Sequence, residues 1–357
     1  MIVSRFESLG MYAPDWIVST EELIDQMEHK PPFDVKGWTG IKNRRHRRED
    51  ESTFTISLNA MKDCLGNSKY KAEDLDIIIA CSISRFDSDG ELIWEPSLSL
   101  MLKEAIGAKN AKHFCISNAC AGMGTGVHLL NNMIRSGAVK NGMVLSGECI
   151  TWISDTAVKE IKDPMDLQLG SLTVGDAGTA VIMDADPVED EGINYTHFVT
   201  MADLSHLCFG MPSERSAGYA MYSDAIGIHR ESIKRLAPFS RGTRIRKEGK
   251  AAWDTGIQWY VPHQTSITAM SNGLKAMKKY FDLDLDYCKN ILVSKYIAEY
   301  GNTASTSHFV TFYQAVKEGL FKKGDRIFFQ ILASGIVMGA ISFKLGDLKV
   351  HEKMEVR

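Results

Sequence analysis

The sequence lacks the features that mark membrane, secreted and nucleic-acid-binding proteins. No apolar run approaches the ~20 residues that a membrane-spanning helix needs, so no membrane span is expected. The first residues contain no basic region followed by an apolar stretch, and we therefore expect no secretory signal. The formal net charge is -4 at pH 7, which disfavours nucleic acid as a partner.

The cysteines exclude further classes of site. The seven cysteines are Cys64, Cys81, Cys115, Cys120, Cys149, Cys208 and Cys288. Their number is odd and none forms a CxxC pair, so neither a disulfide framework nor a zinc site is expected, and a reducing, cytoplasmic location is favoured. The Gly-rich segment VGDAGTA, residues 174–180, matches neither a phosphate-binding loop nor a GxGxxG motif. We therefore expect no cofactor and no metal.

The sequence does contain a regular alternation of strand and helix patterns. Its 357 residues are 44% hydrophobic and 24% charged, which is typical of a globular chain large enough for two domains. Buried-strand patterns such as LDIIIACS alternate with amphipathic helix patterns, and this favours an α/β fold with mainly parallel sheets. A similar rhythm returns in the second half, so we divide the chain into residues 1–188 and 189–357. The section from Phe198 to Trp259 is predicted to be irregular.

One cysteine lies at a position that favours chemistry. In SNACAG, residues 117–122, a short strand pattern ends and a helix pattern begins. A structural cysteine is usually buried inside an element as a small hydrophobe. At the N-terminus of a helix, by contrast, the helix dipole favours the thiolate, which is the nucleophilic form. Cys120 is therefore a candidate nucleophile.

Two other strand-to-helix transitions carry polar side chains. His263 follows the pattern WYVP, and Asn302 precedes a helix start that is rich in Ser and Thr. An α/β sheet places its site at the carboxyl ends of strands, so these residues could converge with Cys120. The histidine could hold a proton, and the asparagine could donate a hydrogen bond to an oxyanion. Taken singly, each has a structural alternative as an ordinary turn or cap residue.

The segments around these residues resemble those of a known family. NACAGMGTG, VPHQTS and GNTASTS occur in the order found in the β-ketoacyl-ACP synthase III group of the thiolase superfamily. The resemblance extends to GWTGIKNRRHRRED near the start and to the closing strands of the chain. It implies a thiolase-like fold, in which two similar βαβ-type halves form a layered αβαβα sandwich. It also implies a homodimer, with acyl-CoA or acyl carrier protein as the other partner.

The resemblance implies a role for each candidate residue. Cys120 would take an acyl group from a CoA or carrier-protein thioester. His263 and Asn302 would bind the carbonyl oxygen of an extender thioester and stabilise the enolate that attacks acyl-Cys120 in a Claisen condensation. The backbone N–H groups of Cys120 and Gly335 would form the oxyanion hole for the acyl carbonyl.

The chain departs from the family pattern in three places. Ala333, Ser334 and Gly335 stand where the group has three glycines. Thr268 replaces an arginine that helps relatives to dock the carrier protein, and the tryptophan that stacks on CoA adenine falls near Asp34 and is absent. These departures favour a specialised branch over fatty-acid priming with acetyl-CoA. One candidate branch forms alkylresorcinol or cyclohexanedione rings from two thioesters.

Four further residues carry less specific predictions. Glu148 ends the strand pattern MVLSGE and could be a second general base for ring formation. The alternative, a salt-bridged or helix-capping glutamate, is slightly favoured. Arg44 and Arg45, in the densest basic run, could contact CoA phosphates or an acidic carrier protein, with a solvated surface as the alternative. By the same resemblance, Trp94 or a neighbour would lie at the dimer interface.

Three functions are compatible with these residues. The first is a condensing enzyme of fatty-acid-derived secondary metabolism, which we expect. The second keeps the acyl-cysteine but delivers the acyl group to an oxygen or nitrogen acceptor. The third is a non-catalytic partner subunit of a condensing enzyme, which is disfavoured because the cysteine, histidine and asparagine are all present.

Overall fold

The computed structural model describes residues 2–185, 191–248, 256–281, 288–292, 295–348 and 350. The strands are β1 (Arg5–Tyr12), β2 (Trp16–Ser19), β3 (Asn43–His46), β4 (Ile77–Ala80), β5 (Lys112–Cys115), β6 (Asn141–Glu148), β7 (Ala177–Asp184), β8 (Gly192–Thr200), β9 (Cys208–Pro212), β10 (Tyr219–Ser223), β11 (Ile257–Pro262), β12 (Cys288–Ile291), β13 (Arg326–Ala333) and β14 (Val337–Lys344). The helices are α1 (Thr20–Asp25), α2 (Val35–Thr39), α3 (Thr53–Gly66), α4 (Leu98–Ala105), α5 (Gly122–Arg135), α6 (Thr151–Glu160), α7 (Ala225–Glu248), α8 (Ile267–Phe281), α9 (Ile297–Tyr300) and α10 (Ser307–Lys317).

Most strands of the described part form two five-stranded sheets of the same topology. The first sheet has the order β1-β7-β6-β4-β5, and the second has the order β12-β11-β13-β14-β8. In the first, β4 runs parallel to β5 and β6, whereas β7 runs antiparallel to β6 and β1. In the second, β11 runs parallel to β12 and β13, whereas β14 runs antiparallel to β13 and β8. The predicted α/β class with two similar halves is confirmed.

The sheets are mixed rather than mainly parallel. The turn at residues 334–336 joins β13 directly to β14, and so short a connection can only join antiparallel strands. A strand buried on both faces has the same apolar pattern whichever way its neighbour runs, so the sequence could not reveal this. All strands of the first sheet precede residue 185 and all strands of the second follow residue 191. The predicted boundary at 188/189 lies outside the described residues.

Two helices lie between the sheets. Val127 and Leu130 of α5 and Phe309 and Phe312 of α10 belong to one apolar core that includes residues of both sheets. Helices α3 and α4 cover the outer face of the first sheet. Helix α7 covers the outer face of the second sheet through β14. This succession of layers confirms the predicted αβαβα sandwich.

The described part of the section from Phe198 to Trp259 is not irregular, contrary to the prediction. It contains the β9–β10 hairpin and the 24-residue helix α7. The carboxylate of Asp224 accepts a hydrogen bond from the backbone N–H of Gly227 at 2.8 Å, which satisfies a donor at the helix start. Pro238 interrupts the helical pattern in the sequence. Packing against β14 stabilises α7, and the local sequence does not reveal that packing.

Candidate active site

Cys120 lies in a tight turn between β5 and α5. A 3₁₀ turn, Ala119–Ala121, leads directly into the helix. Ala119 has a φ of +45°, in the left-handed region that costs an L-residue about 1–2 kcal/mol. Strain of this kind persists only where the surroundings determine the conformation, so the position of Cys120 depends on packing around the turn.

Glycines in α5 bring this turn close to the first sheet. A Cβ atom at Gly122 would lie 2.6 Å from the carbonyl oxygen of Cys81, and one at Gly126 would lie 2.7 Å from the Cys81 Sγ. Carbon atoms are not tolerated at such distances, so any larger residue would displace the helix. Displacement of α5 would also displace Cys120.

The Cys120 thiol has an apolar environment. It packs against a cluster that includes Ile150 and Ala304. The pKa of the thiol is raised to about 12, chiefly by burial and in smaller part by the charges of Cys208 and Glu148. The loss of solvation therefore opposes the helix dipole and favours the protonated thiol in the resting site. Stabilisation of the thiolate by the helix start stays a prediction.

Asn302 occupies the corresponding turn of the second half. Its backbone N–H donates to the carbonyl of Thr173 at 2.8 Å, and its own carbonyl accepts from Gly175 at 3.1 Å. The side-chain Oδ1 accepts the backbone N–H of Ala304 at 3.0 Å. A backbone N–H can only donate, so the amide orientation is determined, and the Nδ2 end is the one left to donate to a ligand.

The turns of Cys120 and Asn302 have the same construction. Ala304, like Ala119, lies in the left-handed region, with a φ of +49°, and it begins the 3₁₀ turn Ala304–Thr306 that leads into α10. Ser305 is therefore the counterpart of Cys120. The repeated topology places the two turns at equivalent strand ends, where they contact each other.

His263 follows β11 and stacks on His308. The two ring centroids are 5.4 Å apart and the planes differ by 16°. Burial lowers the pKa of His263 to about 3, and that of His308 to about 4, so both rings are neutral at pH 7. The Nε2 of His308 donates to the carbonyl of Gln330 at 2.9 Å, whereas the Nδ1 of His263 has no hydrogen-bond partner among the described residues. A buried nitrogen without a partner costs less free energy when it carries a lone pair than when it carries a proton. This favours the tautomer of His263 in which the proton is on Nε2.

The structure places the turns of Cys120 and Asn302 in contact where the two halves meet, and it places His263 just after strand β11. The turn of Cys120 lies against both the turn of Asn302 and strand β13. Strand β11, which positions His263, pairs with β13. Sequence analysis missed His308 and Ser305. Both lie in GNTASTSH directly after Asn302, but helix periodicity alone does not show which of these side chains faces the site.

Gly335 lies in the turn between β13 and β14. Its φ of +129° is a conformation that favours glycine. The next residue, Ile336, exchanges two backbone hydrogen bonds with Met201, with N···O distances of 2.8 and 3.1 Å. These bonds fix the turn, and both flanking strands lie against the turn that carries Cys120.

Glu148 is fully buried at the end of β6. Its carboxylate accepts hydrogen bonds from the backbone N–H groups of Ile83 and Ser84 and from the hydroxyls of Ser84, Ser146 and Ser305. Burial raises the pKa of Glu148, and these hydrogen bonds oppose the rise. No cation pairs with it among the described residues, so the predicted alternative of a salt-bridged or capping glutamate is wrong. Its contacts instead join β6 to the turn of Asn302.

Arg44 and Arg45 point to different sides of β3. Arg44 is 0% exposed, and it donates to the carbonyl of Leu172 and the hydroxyl of Thr20, both at 2.6 Å. A guanidinium without exposed surface cannot reach a phosphate, so both predictions for Arg44, phosphate contact and solvated surface, are corrected. Arg45 is half-buried, 5.3 Å from the ring centroid of Tyr300. Phosphate contact by Arg45 stays a prediction.

The described ranges contain no candidate metal cluster, no membrane-spanning helix and no disulfide. Within them, no three His, Cys, Asp or Glu side chains are placed to hold a metal ion. No described helix combines the length and apolarity that crossing a membrane requires. The cysteines whose side chains are described are free thiols.

Comparison with known families matches the regions that carry these residues. A sequence profile described as 3-oxoacyl-[acyl-carrier-protein (ACP)] synthase III matches residues 114–204. The profile of the C terminal part of the same family matches residues 250–345. The first region includes Cys120, and the second includes His263, Asn302 and Gly335.

Relatives cover nearly the whole chain. A beta-ketoacyl-[acyl-carrier-protein] synthase III of Listeria innocua is 26% identical over 343 residues, which are 95% of this chain and 97% of the relative. The structure of 3-oxoacyl-[acyl-carrier-protein] synthase III from Aquifex aeolicus has a TM-score of 0.77 at 20% identity, covering 96% of this chain and 100% of that one. Cerulenin-bound OleA from Xanthomonas campestris has a TM-score of 0.79 at 20% identity, covering 97% and 98%. These structures confirm the predicted thiolase-like fold.

Proposed function

Because this chain is a β-ketoacyl-ACP synthase III-like condensing enzyme of the thiolase superfamily, and so an acyltransferase, we propose that it loads an acyl group onto Cys120 and condenses it with a malonyl or β-ketoacyl thioester. The donor is an acyl-CoA or an acyl carrier protein. The observation that carries this proposal is the contact between the equivalent turns of Cys120 and Asn302. Strand β11, which ends just before His263, pairs with β13, and β13 also contacts the turn of Cys120.

The first step forms an acyl-enzyme. The sulfur of Cys120 attacks the carbonyl carbon of the donor, the C–S bond of the donor thioester breaks, and the thiol proton leaves with the CoA or carrier sulfur. Because the pKa of the resting thiol is about 12, deprotonation accompanies the attack. The backbone N–H groups of Cys120 and Gly335 hold the oxyanion, and loss of one such donor typically costs ~3 kcal/mol, or ~100-fold in rate.

The second step forms the carbon–carbon bond. His263, through Nε2–H, and Asn302, through Nδ2, donate to the thioester carbonyl oxygen of the extender. A malonyl extender loses its carboxylate as carbon dioxide, and the enolate carbon attacks acyl-Cys120. The Cys120 thiolate leaves, the product is a β-ketoacyl thioester, and the thiolate recovers a proton from solvent. The orientation of the Asn302 amide supports this role, because Oδ1 is already bound to Ala304.

The finer proposal is a ring-forming branch of secondary metabolism. Two features support a specialised donor site. Asp34 serves as the N-cap of α2, where its carboxylate accepts from Gly37 at 2.9 Å, and Thr268 places no charge at the start of α8. The burial of Glu148 and its five hydrogen bonds do not support a second general base there. We therefore propose that any ring closure proceeds without proton transfer to Glu148.

Intact-protein mass tests the first step. Wild type and Cys120→Ala are mixed with acyl-CoA donors from acetyl to lauroyl and with the matching acyl carrier proteins. An adduct on wild type alone is expected. No adduct with any donor would refute self-acylation and return the non-catalytic subunit to consideration.

Product analysis tests the second step. Malonyl-CoA or a β-ketoacyl-CoA is added to the acylated enzyme, and the products are separated by mass spectrometry. Asn302→Ala and His263→Ala should lower condensation by ~100-fold while acylation of Cys120 continues. Equal loss of loading in both variants and in Cys120→Ala would contradict these roles. Acyl transfer to an oxygen or nitrogen acceptor without a carbon–carbon bond would favour the simple acyltransferase.

We also propose a homodimer in the cytoplasm. Strand β5 is an edge strand that pairs only with β4 in the described structure, so its outer edge is available to another chain. Exposed apolar side chains occur in the neighbouring segments, with Ile83 40%, Trp94 76% and Leu100 41% exposed. Exposed apolar side chains beside an unpaired strand edge support an interface with another chain. The free thiols among the described cysteines support a reducing compartment.

A further inference from the structure

Arg44 is a fully buried cation that has no carboxylate partner in the described part of the chain. Its two terminal nitrogens donate to the Leu172 carbonyl and the Thr20 hydroxyl, and its Nε has no partner. Burial lowers the pKa of the guanidinium to about 10. Burying a charge is costly unless it is well paired, and an apolar side chain would fill the same volume without that cost. Space filling therefore does not account for Arg44.

The side chain of Arg44 lies against the two segments that determine the position of Asn302. A Cβ atom at Gly175 would lie 3.2 Å from the Cβ of Arg44, and one at Gly301 would lie 3.4 Å from it. Both glycines border Asn302 in space, since Gly301 precedes it in the chain and Gly175 donates to its carbonyl.

Residues 172–176 form a strip between β3 and the turn of Asn302. On one edge, Thr173 and Gly175 exchange backbone hydrogen bonds with Asn302, at 2.8 and 3.1 Å. On the other edge, the N–H of Asp176 donates to the carbonyl of Arg45 at 2.9 Å. The guanidinium of Arg44 holds the first carbonyl of the strip, that of Leu172.

We propose that Arg44 is a positioning residue for the condensation step, which acts through the 172–176 strip to hold the Asn302 amide in place. A planar guanidinium that donates from both terminal nitrogens restricts position and angle together, which a lysine cannot do. The inference rests on the proposed function, because it requires Asn302 to stabilise the enolate. Arg44 does not touch the substrate. Cys120 also packs near this strip, because Val174 belongs to the cluster that Cys120 contacts. The backbone hydrogen bonds of the strip go to Asn302, however, so acylation of Cys120 should depend on Arg44 much less than condensation does.

Two rates distinguish positioning from general stability. The first is acyl loading of Cys120, followed by intact mass with the acyl-CoA that gives the largest adduct. The second is the single-turnover condensation of the loaded enzyme with malonyl-CoA. Arg44→Met should slow condensation about 10- to 100-fold, because displacement by about 1 Å is enough for such a loss. Loading should change by less than about 3-fold, and Arg44→Lys should recover part of the condensation rate.

Two further comparisons provide the controls. Arg48→Met changes an arginine just beyond the same strand, whose side chain is 53% exposed and pairs with Asp15, and it should leave both rates unchanged. Arg44→Met combined with Asn302→Ala should be no slower in condensation than Asn302→Ala alone, because Arg44 acts through Asn302. A purely structural role would lower the rate again in the double variant.

The outcomes separate the inference from the proposed function. If Asn302→Ala leaves condensation unchanged, the proposed function is wrong. If Asn302→Ala slows condensation but Arg44→Met does not, or if Arg44→Met slows loading equally, the positioning role is overturned. Should Arg44→Met fail to fold, Thr20→Val, which removes one acceptor of the guanidinium, is judged by the same criteria.

Hydrogen exchange gives a reading that does not depend on activity. The peptide that spans residues 298–308 should exchange faster in Arg44→Met or Thr20→Val than in wild type, and Arg48→Met should match wild type. Unchanged exchange in both variants would overturn the proposed connection between Arg44 and Asn302.

Discussion

The reactivity of Cys120 as a function of pH tests the electrostatics of the resting site. Burial raises the pKa of this thiol to about 12 and lowers the pKa of His263 to about 3. Between these values, the cysteine is protonated and the histidine is neutral. A preformed thiolate–imidazolium pair would require the opposite shifts. Titration of alkylation with iodoacetamide from pH 6 to pH 10 distinguishes the two states.

The expected magnitude follows from the thiolate fraction. At pH 8, a thiol of pKa about 12 is ~0.01% thiolate, whereas a free cysteine is roughly one quarter thiolate, a difference of ~2,000-fold. A more basic thiolate is intrinsically more nucleophilic, by roughly 40-fold for this shift at a Brønsted coefficient of ~0.45. Cys120 should therefore react ~50-fold more slowly than free cysteine. The rate should rise about tenfold per pH unit without a plateau.

The assay is mass spectrometry of the peptide that contains Cys120. Cys120→Ala corrects for the other free thiols, and free cysteine provides the reference rate at each pH. A plateau below pH 8, or a rate above that of free cysteine, would refute the reasoning. Either result would mean that the site stabilises the thiolate more than burial disfavours it.

Three further predictions concern stability and assembly. Burial lowers the pKa of His263 to about 3 and that of His308 to about 4, below the value of ~6.5 in the unfolded chain. The neutral rings therefore contribute fully to the free energy of unfolding above pH 6.5. This contribution is lost as the pH falls towards the folded pKa values. Urea unfolding should show that the free energy of unfolding is lower at pH 5 than at pH 8 by ~2 kcal/mol for each histidine. In His308→Gln, this difference between the two pH values should be smaller by ~2 kcal/mol. An unchanged difference would contradict the assignment. Glu148→Gln should destabilise the fold by ~1–3 kcal/mol, because the amide N–H₂ of the glutamine would face groups that donate to the carboxylate. The same variant should speed alkylation of Cys120, because it removes a negative charge near the thiol. A variant as stable as wild type in thermal unfolding would argue against this hydrogen-bond network. Trp94→Asp should weaken self-association in sedimentation velocity. It should leave the melting temperature of the monomer unchanged, because the Trp94 side chain is 76% exposed in the single chain. Undiminished association would exclude Trp94 from the interface.

Local patterns were sufficient to predict the α/β fold class, which the structure confirms, and to propose the residue types of the candidate site. The buried-strand pattern around Ile78 and the helix pattern after Cys120 are both read from neighbouring residues, and both elements are present, with 4 and 14 residues. Asn302 and His263 were recognised in the same way, as polar residues at strand-to-helix transitions. The direction of strand pairing was not predictable, because β13 and β14 have the same apolar character in either direction.

The sequence by itself determined which residue types stand at the strand ends, because periodicity and helix starts are encoded by neighbours in the chain. Only the tertiary structure decided the environment of each polar group. Arg44 donates a hydrogen bond to the carbonyl of Leu172, 128 residues away in the sequence. Glu148 accepts a hydrogen bond from the hydroxyl of Ser305, 157 residues away. The pKa of Cys120 likewise reflects burial by both halves of the molecule. Desolvation depends on every surrounding atom, and most of those atoms belong to residues that are distant in sequence.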